Sequence, residues 1–97
     1  MKRDDITKFT KDELDLVPIE FLEAAIEVFE NGAKKYGRHS WENGVHYSHF
    51  GNIDSIFHHI CDARSGRIYD LDSGIDPMAH AGVRALMSYT LNKRGKI

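Results

Sequence analysis

The segment between residues 32 and 44 carries the side chains best suited to binding a phosphorylated ligand. It reads GAKKYGRHSWENG and combines two lysines, an arginine, two aromatic side chains and three glycines. Lysine and arginine bind phosphate oxygens, an aromatic face stacks on a nucleobase, and glycine lets the backbone approach a ligand closely. The same composition is also typical of an ordinary exposed helix end followed by a loop. The segment alone therefore leaves both interpretations open.

A second group of polar side chains is spaced for one face of a helix. Asn52, Ser55, His59 and Asp62 follow one another at steps of three, four and three residues. Such spacing forms a polar stripe beside the apolar stripe of the same helix. His59 and Asp62 on this stripe can reach each other or a common ion, which makes them candidates for catalysis.

His80 and a ladder of glutamates complete the candidate groups. His80 falls in a segment whose apolar pattern predicts burial, and a buried imidazole needs a hydrogen-bond partner. The ladder is typical of a solvated helix face, but helices also present carboxylates to divalent cations in this way. Its members are Glu20, Glu23, Glu27 and Glu30. Three further histidines at spacings of seven and three do not match a zinc signature: His39, His46 and His49.

Three predicted helices must position these groups. Apolar periodicity predicts the first from Pro18 to about Lys35 and the second from about Tyr47 to Arg64. The third begins at Asp76-Pro77, an N-cap residue followed by proline, and continues to about Asn92. Its apolar residues fall on two sides, so we expect it to be mostly buried. Residues 66–75 lack helical periodicity and form a loop, and no strand pattern competes, so the sequence predicts an all-α protein.

Length and charge narrow the class of protein. The chain has 97 residues and a net charge of −2, which gives no overall attraction to nucleic acid or to an anionic membrane. We interpret residues 1–16 as a polar arm, 17–92 as one helical domain and 93–97 as a basic tail. A domain this small gains from burying apolar surface in a homo-oligomer. The single Cys61, the lack of a roughly 20-residue apolar run and the lack of a signal peptide predict a cytoplasmic protein without a membrane span.

A set of motifs in fixed order resembles a known family. The family is called dATP/dGTP diphosphohydrolase, N-terminal; it is common in bacteriophage genomes and similar to the MazG-like all-α nucleotide pyrophosphohydrolases. The motifs that carry the resemblance are Leu16-Val17-Pro18, Gly32-Ala33-Lys34-Lys35-Tyr36-Gly37, Trp41 with Gly44, His59, Gly66, Asp70, Asp72-Ser73-Gly74 and Ala79-His80-Ala81.

The resemblance implies a MazG-like helical bundle, completed by oligomerisation, that hydrolyses a purine deoxynucleoside triphosphate to monophosphate and pyrophosphate with Mg²⁺ or Mn²⁺. It implies catalytic roles for His59, Asp62 and His80, and metal ligation by Glu20, Glu23 and Asp62. Phosphate and base binding fall to Lys34, Lys35, Tyr36, Arg38 and Trp41, and Arg67 is a further candidate because its positive charge attracts phosphate.

The chain departs from the family pattern at several polar positions. The pattern has Asn at Ser40, Arg at His58, Glu at Arg67 and often His at Asp76. MazG-like enzymes also carry a Glu-x-x-Asp on their second metal-binding helix, where this chain offers His59-x-x-Asp62.

Two other functions stay open. A protein that binds a nucleotide or nucleotide-like signal without hydrolysing it is favoured by Arg67, because a cation attracts phosphate but does not bind a metal ion. A small phage protein that acts on a host protein would use Trp41 and the polar arm as interface anchors.

Overall fold

The computed structural model describes residues 9–44 and 48–97. Over these residues the chain forms four α-helices and one 3-10 helix and no β-strand, so the prediction of an all-α bundle is confirmed. The helices are α1 (Lys11–Leu14), α2 (Ile19–Tyr36), the 3-10 helix (Ser40–Asn43), α3 (His49–Arg64) and α4 (Pro77–Lys93). None of the helices in the described part of the chain is both long and apolar enough to cross a membrane.

Local signals set most of the helix ends. Asp76 caps α4 by accepting a hydrogen bond at 2.8 Å from the backbone N–H of Met78, and Pro77 occupies the first helical position, as predicted. Ser48 caps α3 in the same way, through the N–H of Gly51 at 3.1 Å. The predicted start of this helix at Tyr47 lies outside the described residues.

The first long helix begins one residue later than predicted. Pro18 is the N-cap of α2, and the helix ends at Tyr36. The C-cap is Gly37, whose positive φ of 94° a side chain would disfavour. Within the predicted polar arm, Thr10 and Glu13 form a reciprocal capping box that starts α1. This short helix was not predicted.

Helix α4 is the central element of the bundle. It packs against both α3 and α2 and also contacts the 3-10 helix. Val83 and Met87 of α4 form the core with Ala25 of α2, and Trp41 of the 3-10 helix packs against them. Farther along α4, Leu91 is fully buried. The central place of α4 explains why polar side chains from all three long helices converge near its first half.

The prediction that the third helix is mostly buried is wrong for one of its two apolar sides. Val83, Met87 and Leu91 are buried, whereas Met78 and Tyr89 are more than half exposed. The physical reason is that, among the described residues, only α2, α3 and the 3-10 helix pack on α4, and they leave this side of it uncovered. The uncovered side leaves apolar surface open on the monomer.

Candidate functional site

A cleft of about 320 Å³ lies where the three long helices meet the loop between α3 and α4. We call it the histidine cleft. Helix α2 contributes Val28, Asn31, Gly32, Lys35 and Tyr36; α3 contributes His58 and His59; the loop contributes Asp70 and Asp72; and α4 contributes His80, Val83, Arg84 and Met87. Histidine, carboxylate, lysine and arginine side chains thus share one concave surface.

Asp70 holds the loop in the shape that closes this cleft. Its Oδ2 accepts hydrogen bonds from the backbone N–H groups of Asp72 at 3.2 Å and Ser73 at 3.1 Å, and from the Ser73 hydroxyl at 3.2 Å. An aspartate that bonds the backbone two and three residues ahead stabilises a tight turn. Burial raises the pKa of Asp70, but these hydrogen bonds outweigh burial and lower it below its ordinary value. Asp70 is therefore a fixed negative charge at neutral pH.

Ser73 connects this aspartate to His80. Its Oγ lies 2.6 Å from His80 Nε2 and also accepts the backbone N–H of Ile75 at 3.2 Å. A hydroxyl has one proton to donate and two lone pairs to accept with. Because the Ser73 proton goes to Asp70, we assign the proton of neutral His80 to Nε2, which donates to Ser73. The basic atom of that imidazole is then Nδ1.

His59 stacks on His80 inside the cleft. The two ring centroids are 4.8 Å apart and the rings are inclined by 16°. Burial lowers the pKa of His59, and the neighbouring His80 lowers it further. Burial also lowers the pKa of His80, although Asp70 acts in the opposite direction. Both imidazoles are therefore neutral at pH 7 and able to accept a proton.

One atom of His59 is left without a partner. Nδ1 is buried and makes no hydrogen bond to any part of the chain that the structure describes. Buried polar atoms are nearly always paired with protein or with an ordered water. This nitrogen is the atom of the cleft most in need of a ligand or a water.

Two cations line the same cleft. Lys35 forms an ion pair with Asp72, and the hydrogen bond between them raises the pKa of Lys35. Both side chains are well exposed, and exposed ion pairs of this kind are weak, so Lys35 can exchange Asp72 for another anion. Arg84 donates from Nη1 to Oδ1 of Asn52 at 3.1 Å, and Asn52 is fully buried.

A second cleft of about 390 Å³ adjoins the first. We call it the tryptophan cleft, and it lies between the C-terminal half of α2 and the 3-10 helix. It shares Val28, Gly32 and Met87 with the histidine cleft, so the two are adjacent. Its other lining residues are Ile26, Phe29, Glu30, Ala33, Gly37, Arg38, His39, Ser40, Trp41 and Glu42.

The backbone after α2 turns so that Trp41 faces this second cleft. Gly37 and His39 both have positive φ, at 94° and 61°. Among the residues that the structure describes, His39 is the one non-glycine residue with a positive φ. Trp41 then packs beside Phe29 with ring centroids 5.7 Å apart. Arg94, near the C-terminal end of the chain, donates a hydrogen bond from Nη1 to Oε1 of Glu42 at 2.6 Å. This bond holds the turn in place and lowers the pKa of Glu42. The result is an apolar, aromatic cleft with a size suited to a flat ring.

The structure distributes the predicted binding residues over both clefts. Lys35, Tyr36, His59 and His80 line the histidine cleft, and Arg38 and Trp41 line the tryptophan cleft. Lys34 is exposed and lines neither.

Asp62 has different neighbours from those expected. It lies 3.7 Å from His58 Nε2 and 3.7 Å from Arg67 Nη1, and neither Asp62 nor Arg67 lines the two clefts. His59, the expected neighbour of Asp62, instead faces His80.

The predicted metal ligands do not converge. Glu20 and Glu23 are exposed on α2 and line neither cleft. Within residues 9–44 and 48–97, no three histidine, cysteine or carboxylate side chains are grouped to hold a metal ion. The donor set of Glu20, Glu23 and Asp62 in one chain therefore does not fit a resident divalent ion.

Two other histidines have side-chain partners outside the His59–His80 stack. His39 pairs with Glu42, and His49 Nδ1 lies 2.7 Å from Ser88 Oγ. His46 falls outside the described residues.

Sequence reasoning did not assign roles to four residues of the histidine cleft and its loop: Asp70, Asp72, Ser73 and Arg84. The loop residues carried a signal, because an aspartate three residues before a serine is typical of a side-chain-capped turn. Arg84 carried a weaker one, since it falls one helical turn after His80.

Comparison with known proteins agrees with the motifs. Curated protein sequences and solved structures contain no significant match to this chain. One family model matches residues 2–97, nearly the whole length. The matched stretch includes every residue that lines the two clefts. The chain therefore belongs to the family described as dATP/dGTP diphosphohydrolase, N-terminal.

Proposed function

We propose that the protein binds a purine deoxynucleoside triphosphate across the two clefts and hydrolyses it to the monophosphate and pyrophosphate. The observation that carries this proposal is that an aromatic, apolar cleft lies next to a cleft that combines two neutral imidazoles and two cations. The family relationship supports the same class of substrate. In this proposal Trp41 stacks on the base and Lys35 binds the phosphates.

The hydrolytic step requires a base and a site for negative charge. A water oxygen bonds to the α-phosphorus while the bond to the oxygen bridging the β-phosphorus breaks, and pyrophosphate leaves as an anion. A neutral imidazole, His59 or His80, takes the proton from that water, a role that contributes about 10²–10⁴-fold to rate in other enzymes. Lys35, released from Asp72, stabilises the charge on the departing pyrophosphate.

Three further features belong to the proposal as predictions. The first is dependence on Mg²⁺ or Mn²⁺; a magnesium ion that arrives on the triphosphate needs only one or two protein carboxylates. The second is a homo-oligomer, supported by apolar side chains exposed on the three long helices: Ile26, Phe50, Phe57, Leu86 and Tyr89. The third is a cytoplasmic location, supported by the exposed free thiol of Cys61.

One experiment tests binding and hydrolysis separately. Trp41 is the single tryptophan of the chain, so its fluorescence reports directly on the tryptophan cleft. We expect dGTP or dATP to change this fluorescence and to release pyrophosphate in the presence of Mg²⁺ or Mn²⁺. His80→Gln should lower kcat by about 100-fold or more with little change in nucleotide affinity. His49→Gln, which removes a histidine bonded to Ser88 outside both clefts, should leave kcat unchanged.

A second function is favoured by the lack of a converging metal-ligand group among the described residues. In this alternative the protein binds the nucleotide and does not hydrolyse it. Fluorescence changes with no pyrophosphate release under any metal condition would establish the alternative. No response of Trp41 to any deoxynucleoside triphosphate would refute both functions.

A further inference from the structure

Arg84 lines the histidine cleft beside the two stacked imidazoles. It is half-buried and one helical turn from His80 on α4, so both side chains face the same cleft. The positive charge of Arg84 lowers the pKa of both His59 and His80. The same positive charge would therefore attract an anion placed beside these imidazoles.

The guanidinium is oriented by a buried amide. Nη1 of Arg84 donates to Oδ1 of Asn52 at 3.1 Å, and Asn52 is fully buried on α3. A buried polar side chain has few rotamers and little freedom to move. Asn52 therefore restrains the arginine at the wall of the cleft.

We propose that Arg84 is a substrate-binding residue that holds the phosphate oxygens of the nucleotide opposite Lys35, and that Asn52 is the positioning residue that presets its guanidinium. The inference rests on the proposed function, because it assigns a further contact to the same substrate. Lys35 and Arg84 come from different helices, so they can contact a phosphate chain from two sides. The planar fork of arginine binds phosphate oxygens in pairs, which a lysine at the same position would not do.

The test compares a phosphorylated ligand with its unphosphorylated nucleoside. Trp41 fluorescence is titrated with dGTP and with deoxyguanosine in the wild type, Arg84→Met, Arg84→Lys and Arg64→Met. Arg64→Met is the matched control, because it removes an exposed α3 cation that lines neither cleft. Thermal melting of each variant verifies that the fold is retained.

We expect Arg84→Met to weaken dGTP binding by about 10- to 100-fold, the usual range for one charge-assisted hydrogen-bonding group. Deoxyguanosine binding should stay at the wild-type level. Arg84→Lys should recover only part of the loss, and Arg64→Met should bind both ligands as the wild type does. If the wild type hydrolyses dGTP, KM should rise more than kcat falls in Arg84→Met.

Two results would overturn this inference while leaving the proposed function intact. One is a wild type that binds dGTP and an Arg84→Met variant that binds it equally well. The other is an equal loss of dGTP and deoxyguanosine binding, because it would make Arg84 a structural residue. A wild type that binds no deoxynucleoside triphosphate would instead refute the proposed function, and the inference with it.

Discussion

Replacing Ser73 with alanine removes a hydroxyl that bonds to Asp70, Ile75 and His80. Its Oγ lies 3.2 Å from Asp70 Oδ2, 3.2 Å from the N–H of Ile75 and 2.6 Å from His80 Nε2. Each hydrogen bond contributes about 0.5–1.5 kcal/mol net to stability. Ser73 and His80 are only half-buried, so water replaces part of the loss. We therefore expect the free energy of unfolding to fall by about 1–3 kcal/mol.

The loop itself should survive this change. Asp70 keeps its bonds from the backbone N–H groups of Asp72 and Ser73, which define the turn. What is lost is the restraint on the His80 ring. Hydrolysis of dGTP should therefore fall by a larger factor than stability alone would explain, because catalysis requires a correctly oriented base.

Urea unfolding followed by circular dichroism measures the first effect, and pyrophosphate release measures the second. Ser88→Ala is the matched control, because Ser88 Oγ also bonds a histidine, His49, at 2.7 Å and lies on the same helix as His80. Both variants should lose stability, but only Ser73→Ala should lose activity. The reasoning is refuted if Ser73→Ala unfolds within about 0.5 kcal/mol of the wild type and the His80 titration measured by NMR is unchanged.

Three further predictions concern charge and packing. The pKa values of His59 and His80 are lowered in the folded protein, so below about pH 6.5 the unfolded chain binds more protons than the folded one. The free energy of unfolding should therefore fall from pH 7 to pH 5.5. Urea midpoints across this range should fall less in a variant with both histidines changed to glutamine, and an equal fall would contradict the lowered pKa values. Asp70→Asn should lower the pKa of His80 further, because the Asp70 carboxylate raises it. A higher His80 pKa in the NMR titration of this variant would contradict this electrostatic explanation. Leu91→Ala should lower the free energy of unfolding by about 2–5 kcal/mol, because Leu91 is fully buried. Leu86→Ala, at an exposed position of the same helix, should lower it by less than about 1 kcal/mol. Urea unfolding measures both, and similar losses would contradict the described core.

Local sequence signals account for most of the fold. The spacing of apolar residues predicted three long helices, and Asp76-Pro77 predicted the start of α4 to the residue, because caps and periodicity depend on residues a few positions apart. The burial of Val83, Met87 and Leu91 followed from the same periodicity. Exposure of the opposite side of α4 could not be predicted, since it depends on how many helices one chain supplies and where they pack.

Residue types and their spacing also indicated that His80 would need a hydrogen-bond partner and that residues 32–44 carried groups suited to a nucleotide. The packed structure was needed to show that the partner is Ser73, that His59 stacks on His80, and that Asn52 holds Arg84. These contacts join residues 7 to 32 positions apart, or lie between different helices. They depend on the rotation of each helix about its axis and on the path of the loop, which arise from packing of the whole chain and not from local spacing.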